Sequence, residues 1–344
     1  MIRLKDFQLP SVVVQSPMAN CTDLPFRLIA RQKGMKFAYL EMVSAHALVN
    51  ENRKTFELMK TLPEDRPVGA QLVGCDPEIM GKAASMIEDM GCYDLIDINF
   101  GCPVPKITGN GGGSSLLREP DKARAIFRSI VRNVKFLPVT VKMRLGYSDA
   151  SGHEASVIAK IAEEEGLDAI AVHGRTREQK YQGKADYEAI KRVKGSVKIP
   201  VFGNGDVMDG ASALRLKAVA GVDGVMIGRG ALGNPWIYRE VEAALQGEAP
   251  PPSPTFEDKK QTLLDHLELE IKHNPRSAHL QMRRVACWYF KDMPNAARFR
   301  ERVNTSLSGD ELRQAILDFD PSRHEKAGLP ASLDAPDIQP ESGL

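Results

Sequence analysis

The stretch Asp97-Ile98-Asn99-Phe100-Gly101-Cys102-Pro103 sets a thiol where an apolar run gives out. Residues 95–99 read as a short buried strand, and Gly101 and Pro103 force an abrupt loop after it. In α/β folds the carboxyl ends of strands are where chemistry is placed. A free cysteine taken alone is more often a small apolar filler. The other strand ends decide between these readings. In order they carry Ser16-Pro17-Met18-Ala19, Glu41-Met42, Gln71, Asn99 with Cys102, Lys142 with Arg144, His173-Gly174-Arg175-Thr176, Asn204-Gly205-Asp206 and Gly228-Arg229-Gly230. One polar residue at a strand end means little, but eight in succession are hard to assign to packing.

Two of these ends name a ligand chemistry. In Val139-Thr140-Val141-Lys142-Met143-Arg144 the alternation puts Lys142 and Arg144 on one face, toward the strand-end mouth. Buried cations need partners, and a negatively polarised ligand would serve. Gly205, Gly228 and Gly230 let backbone amides come close to an anion, and Arg229 adds a fork of donors. A phosphate site after the last two strands recurs in barrels. It suggests a phosphorylated cofactor such as FMN, or a sugar phosphate.

The elements that must hold these residues are legible. Strand-like runs at 12–15, 37–40, 68–72, 95–99, 139–143, 169–173, 200–203 and 225–228 alternate with amphipathic helix patterns, for example 77–90, 121–134, 154–165 and 209–220. Two of those helices end at Gly91 and Gly166, where a left-handed cap is expected. Eight such strands within about 250 residues predict an α/β fold, a (β/α)8 TIM barrel over residues 1–245. A doubly wound sheet is the alternative, but no strand runs into G-x-G-x-x-G, and the run 109–114 misses the third glycine. Residues 246–255, with four prolines, predict a semi-rigid linker. Residues 256–320 predict a small helical domain, with apolar spacing through Leu263, Leu264, Leu267 and Ile271 and through Val285, Trp288 and Tyr289. Residues 321–344 predict a flexible tail.

Composition bounds the rest. The 344 residues are 42% hydrophobic and 26% charged, with 46 basic and 45 acidic side chains. No global field attracts a polyanion, so a nucleic-acid partner must be gripped by a local basic surface. The five cysteines are scattered without a C-x-x-C pair, so neither a disulfide framework nor a metal site is indicated. No apolar run approaches the roughly 18 residues of a membrane span. A monomeric cytoplasmic protein without membrane or metal is expected.

With these segments the chain resembles the tRNA-dihydrouridine synthases, flavoenzymes that reduce a uracil in tRNA. The matching motifs are Pro17-Met18-Ala19-Asn20-Cys21-Thr22-Asp23, Gln71-Leu72, the Cys102 loop, Val141-Lys142-Met143-Arg144, His173-Gly174-Arg175-Thr176, Asn204-Gly205-Asp206 and Met226-Ile227-Gly228-Arg229-Gly230-Ala231. The resemblance implies that Pro17, Met18, Ala19, Gln71, Lys142, Asn204, Gly205, Asp206, Gly228 and Arg229 hold FMN, with His173 on the flavin phosphate or the substrate. It implies that Cys102 protonates the uracil, and that NADPH or NADH is the reductant. Where the family usually has glycine this chain has Asn20, a residue that tolerates a left-handed backbone. Reducing the C5–C6 bond takes a hydride and a proton on different carbons, so Cys102 must stay a thiol. Asn99 and Arg144 are placed to bond the uracil edge and steady the developing enolate.

The tRNA itself needs a basic surface. Between residues 276 and 302 seven Lys or Arg stand against two acids, Arg283 and Arg284 among them, and 175–184 adds Arg175, Arg177, Lys180 and Lys184. Two other readings share parts of this pattern. An FMN-dependent dehydrogenase of a free pyrimidine or dihydroorotate has no use for the basic helical appendage. A non-catalytic RNA-binding module has no use for the Cys102 loop.

Overall fold

The apolar runs become strands buried on both faces, the pattern of a parallel sheet covered by helices. The computed structural model describes residues 2–322. A short antiparallel hairpin, β1 (Arg3–Leu4) and β2 (Phe7–Gln8), comes first. The parallel strands follow: β3 (Val13–Gln15), β4 (Ala38–Tyr39), β5 (Val43–Ser44), β6 (Val68–Val73), β7 (Leu95–Phe100), β8 (Val139–Arg144), β9 (Ala169–His173), β10 (Val201–Asn204) and β11 (Gly224–Ile227). Their order is β3-β11-β10-β9-β8-β7-β6-β4, with β5 also on β6. Gln15 closes the ring: its backbone N–H donates to Phe37 O at 3.2 Å, and its side-chain oxygen accepts from Tyr39 N at 2.7 Å. The fold is therefore the expected eight-stranded barrel.

The two-residue strands of the hairpin and β5 were absent from the sequence reading, because they are too short to show a period. The hairpin is nonetheless structural. Ile2, Leu4 and Leu9 join Phe37, Tyr39, Leu95, Phe202 and Met226 in one apolar cluster. That cluster fills the barrel toward the amino ends of its strands and leaves the carboxyl ends for polar residues.

The helices of this unit are α1 (Leu24–Gln32), α2 (Ala45–Val49), α3 (Arg53–Leu58), α4 (Pro77–Asp89), α5 (Pro105–Thr108), α6 (Pro120–Asn133), α7 (His153–Glu164), α8 (Tyr187–Lys194), α9 (Gly210–Ala220) and α10 (Ile237–Gln246). Side chains of Asp23, Asp76, Asp186 and Asp209 accept N–H bonds at the starts of α1, α4, α8 and α9. Gly91 and Gly166 have φ of 63° and 86°, the left-handed conformation expected after α4 and α7.

By Cα packing the chain divides into two units, one up to Ala231 together with Trp236–Pro251, the other Leu232–Pro235 together with the chain from Pro252. The second unit holds α11 (Phe256–His273), α12 (Ala278–Tyr289), α13 (Ala296–Thr305) and α14 (Gly309–Asp318). Its core is aromatic: Phe256, Phe290, Phe299 and Phe319 make ring contacts with centroids 4.7–5.8 Å apart. The apolar spacing is only partly followed. Leu263 and Leu267 are buried, but Ile271 is exposed, and Thr262, His266 and Glu270 complete the buried face of α11. His266 meets Tyr289 Oη at 3.2 Å, and burial lowers its pKa to about 3. Beyond Ser322, the expected tail lies outside the described residues.

Candidate active site

Strand register gathers the polar residues. Asn99 pairs with Lys142 across β7 and β8, Arg144 with His173 across β8 and β9, and His173 with Asn204 across β9 and β10. Paired residues share a face, so these side chains converge inside the carboxyl end of the barrel.

Cys102 sits just past β7 and is 8% exposed, packed with Met42 and Val73 and flanked by Ala19, Val104 and Ile107. Its loop is pinned on both sides. Its N–H donates to Asn99 Oδ1 at 2.8 Å, and its carbonyl accepts from Ser114 N at 3.1 Å and Ser114 Oγ at 2.9 Å. Gly113, with φ of 58°, lies directly behind it; a Cβ there would stand 2.7 Å from the Cys102 carbonyl oxygen. Burial pushes the thiol pKa up, outweighing the Val104 N–H and the nearby Arg144 and Lys142, which pull it down. At neutral pH the group is a thiol.

The Lys142 side chain is half-buried, and its amine has no hydrogen-bond partner among the described residues. Burial and the neighbouring Arg144 lower its pKa to about 8, while Asp97 and Cys102 hold it up. Arg144 donates from Nε to Gly101 O (2.9 Å), and from Nη1 to Thr176 O (2.9 Å) and Lys180 O (2.8 Å). Its Nη2 keeps two further N–H donors. Burial lowers the Arg144 pKa to about 10. His173 is pushed well below its usual pKa, by burial first and then by Arg144, Lys142, Arg175 and Arg229. It is a neutral imidazole, and its Nε2 accepts from Arg175 Nη1 at 3.4 Å.

Around this centre the loops bring donors and small residues together. Met18 N–H donates to Thr22 Oγ1, and Asn20 takes φ of 59°, so asparagine adopts the left-handed backbone there. Gly205 has φ of 124°, and a Cβ on it would meet Ala185 Cβ at 2.7 Å. Gly228 faces Met18, Ser16 and Asn204. The Arg229 side chain is 46% exposed, 3.6 Å from Asp206 and over the ring of Tyr181 at 4.7 Å. Pro17, Met18, Ala19, Lys142, His173, Asn204, Gly205, Gly228 and Arg229 thus share one mouth with Cys102.

Several residues hold protein where a ligand contact was expected. Arg175 is the plainest correction: it is 2% exposed, and its donors go to Gln182 O, Gly183 O and the Asp206 carboxylate. An RNA phosphate cannot reach it. Asp206 is committed to that ion pair and to Ala185 N–H. Asn99 accepts the backbone N–H groups of Gly101 and Cys102 at its oxygen and donates from its nitrogen to Gln71 Oε1 and, at 3.8 Å, to Met42 Sδ. Gln71 in turn donates to Asp97. In the helical unit Arg283 donates to Ser306 O, and Arg284 lies over Trp288 at 5.4 Å. Both are half-buried.

Three further positions shape the site, and none stands out in the sequence as a ligand contact. Tyr181 lies within reach of both Arg144 and Arg229; in the sequence it is one tyrosine in a polar loop. In the sequence Asp97 is one residue of the β7 strand. The glycines at 111–113 were visible, and their signal was a close backbone approach, which Gly113 makes behind Cys102.

Comparison with known proteins places these residues among relatives. The sequence profile of the family described as dihydrouridine synthase (Dus) matches residues 14–320. A probable tRNA-dihydrouridine synthase of Rickettsia bellii (strain RML369-C) is 38% identical over 321 residues, 93% of this chain and 98% of that protein. The tRNA-dihydrouridine synthase B of Pseudomonas aeruginosa is 36% identical over 320 residues, 92% of this chain and 95% of that one. Among solved structures, histamine dehydrogenase from Rhizobium sp. 4-9 superposes with a TM-score of 0.54 at 12% identity, over 78% of this chain and 50% of that chain. That last likeness is one of fold alone.

Proposed function

The chain belongs to the dihydrouridine synthase family, and from that premise we propose that it reduces the C5–C6 double bond of a uridine in tRNA, with FMN as cofactor and NADPH or NADH as reductant. It is an oxidoreductase with tRNA-dihydrouridine synthase activity, and family membership makes it a flavin enzyme.

The residues suit an anionic flavin. Lys142 is a half-buried side chain whose amine has no partner among the described residues, and Arg229 leaves most of its donors open. Gly205 and Gly228 keep the backbone bare of side chains at the same mouth. Lys142 would bond the ring and Arg229 the phosphate, with Pro17, Met18, Ala19 and Asn204 lining the space between. When bound, the flavin supplies the hydride, to C6 of the uracil.

The observation that carries the reading is a buried thiol just past the carboxyl end of β7, with Arg144 and Lys142 near enough to pull its pKa down. Cys102 gives its proton to C5, and the nearby Arg144 and Lys142 steady the thiolate it leaves. The open Nη2 of Arg144 also stabilises negative charge developing on the uracil carbonyl. His173, neutral, accepts from Arg175 and adds no further positive charge. A uridine within folded tRNA must unstack and turn out to reach this mouth. We assign backbone binding to the helical unit, residues 256–320, where 276–302 carries seven cations against two acids. A reducing cytoplasm suits the five cysteines, all of them free thiols.

The test is direct. Purified protein, FMN, NADPH and unmodified tRNA should yield tRNA whose nuclease fragments show one uridine heavier by two hydrogens. Reduction of free uridine or dihydroorotate at a comparable rate, with tRNA left untouched, would replace this reading by the small-molecule one.

A further inference from the structure

Asp97 takes no part in the steps above, yet it is 1% exposed at the floor of the site. Two side chains donate to it, Thr140 Oγ1 to Oδ1 at 2.6 Å and Gln71 Nε2 to Oδ2 at 2.7 Å. Gln71 Oε1 accepts from Asn99 Nδ2 at 2.8 Å. Asn99 Oδ1 accepts the N–H groups of Gly101 at 3.0 Å and Cys102 at 2.8 Å. An amide donates at one end and accepts at the other, so a chain of amides has a direction. The backbone N–H groups at one end of this chain can only donate. The carboxylate at the other end accepts. Both ends are satisfied in a single arrangement, with the Asn99 oxygen toward the Cys102 loop and the Gln71 nitrogen toward Asp97. Reversing either amide sets donor against donor or acceptor against acceptor among Asp97, Gln71, Asn99 and Cys102, none more than 9% exposed. A lost hydrogen bond costs most in such a place.

We propose that Asp97 is a positioning residue: it anchors the accepting end of this amide chain and thereby fixes Asn99 and the Cys102 loop. The inference rests on Cys102 being the proton donor, but loop position can be measured apart from that role. Burial raises the Asp97 pKa to about 6, and the bonds from Thr140 and Gln71 together with the nearby charge of Lys142 hold it down. The carboxylate is therefore ionised and accepting at neutral pH.

Two substitutions separate acceptance from charge. Asp97→Asn keeps an oxygen for Gln71 while its nitrogen turns to Thr140 Oγ1. Asp97→Leu removes the acceptor at similar size. The probe is iodoacetamide on the purified protein, with each cysteine followed by mass spectrometry. Alkylation of Cys102 should stay within about twofold of the parent in Asp97→Asn and rise about tenfold in Asp97→Leu, the equivalent of one lost hydrogen bond. The half-exposed Cys75 and Cys92 should react at parental rates in both. Parental alkylation in Asp97→Leu, or equal acceleration in both variants, would overturn the proposal. Should Asp97→Leu fail to fold, hydrogen exchange in the unsubstituted protein still decides. The amide protons of Gly101 and Cys102 should exchange as slowly as those of β7, and rapid exchange at either would end the proposal. Neither readout involves tRNA, so a failure here is distinct from a failure of the assigned reaction.

Discussion

The proton donor we propose, Cys102, must hold its proton until the substrate arrives, and burial suits it to that. Its pKa is raised in spite of two cations nearby, so the thiol is intact while Lys142 and Arg144 stand ready for the thiolate. Cys102→Ala should leave FMN content and flavin reduction by NADPH near parental, and slow reoxidation by tRNA by about 10²–10⁴, the usual contribution of one general acid. Stopped-flow absorbance of the two half-reactions checks this. Reoxidation within a few-fold of the parent would remove Cys102 from the mechanism. Lys142 makes a pH prediction. An amine is charged below its pKa and neutral above it, and this one is lowered to about 8. FMN affinity should be level through neutrality and weaken as pH rises past about 8. One charge-assisted bond is at stake, about 1.5–3 kcal/mol, or roughly ten- to a hundredfold in Kd. Fluorescence titration across that range should show the fall, and Lys142→Met should abolish it. What sequence could say at this scale was which residues stand at the strand ends. It could not say where their bonds go. Arg175 has the right type for a ligand contact, yet folding commits it to the Gln182 and Gly183 carbonyls and to Asp206.

At the scale of elements, the barrel was legible because parallel strands buried on both faces leave continuous apolar runs. β1, β2 and β5 were not, since two residues carry no period. The loops are where local necessity becomes visible only in three dimensions. Gly113 is required twice over, by a φ of 58° and by the 2.7 Å that a Cβ would leave to the Cys102 carbonyl. Gly113→Ala should destabilise the protein by about 1–3 kcal/mol and also loosen the Cys102 loop. Urea unfolding together with Cys102 alkylation should report both effects, and an unchanged midpoint would show that the loop yields. In the β11 loop Arg229 keeps, among the described residues, a long ion pair and a ring contact, which leaves most of its donors open to an anion. Arg229→Ala should weaken FMN binding by about ten- to a hundredfold, read by retention on dialysis. Full retention would move the phosphate site to other residues.

Over the whole molecule the net charge is +1, and no long-range field of one sign draws tRNA in. The proposed tRNA grip rests on local excess, and the stretch 276–302 has seven cations against two acids. The structure sorts those cations. Arg283 and Arg284 are half-buried, Arg283 bonded to Ser306 O, and Arg302 pairs with Asp318 at 2.5 Å. Arg276 and Lys291 are exposed and form no ion pair among the described residues. Sequence alone singles out Arg283 and Arg284 among the seven, because charge is written in the chain and partnership is not. If Arg276 and Lys291 each neutralise one phosphate, replacing both by Gln should flatten the log–log dependence of tRNA affinity on salt by roughly 0.7–0.9 for each. Affinity near physiological salt should fall, while turnover at saturating tRNA and FMN content should hold, since both residues belong to the helical unit and not to the barrel's own stretch of chain. Arg283→Gln should behave differently, lowering thermal stability with less effect on the salt slope. The measurement is filter binding of tRNA from about 50 to 300 mM salt, a range over which phosphate contacts change affinity steeply. An unchanged slope in the double variant would show that these two cations face solvent only, and that the tRNA backbone is gripped elsewhere.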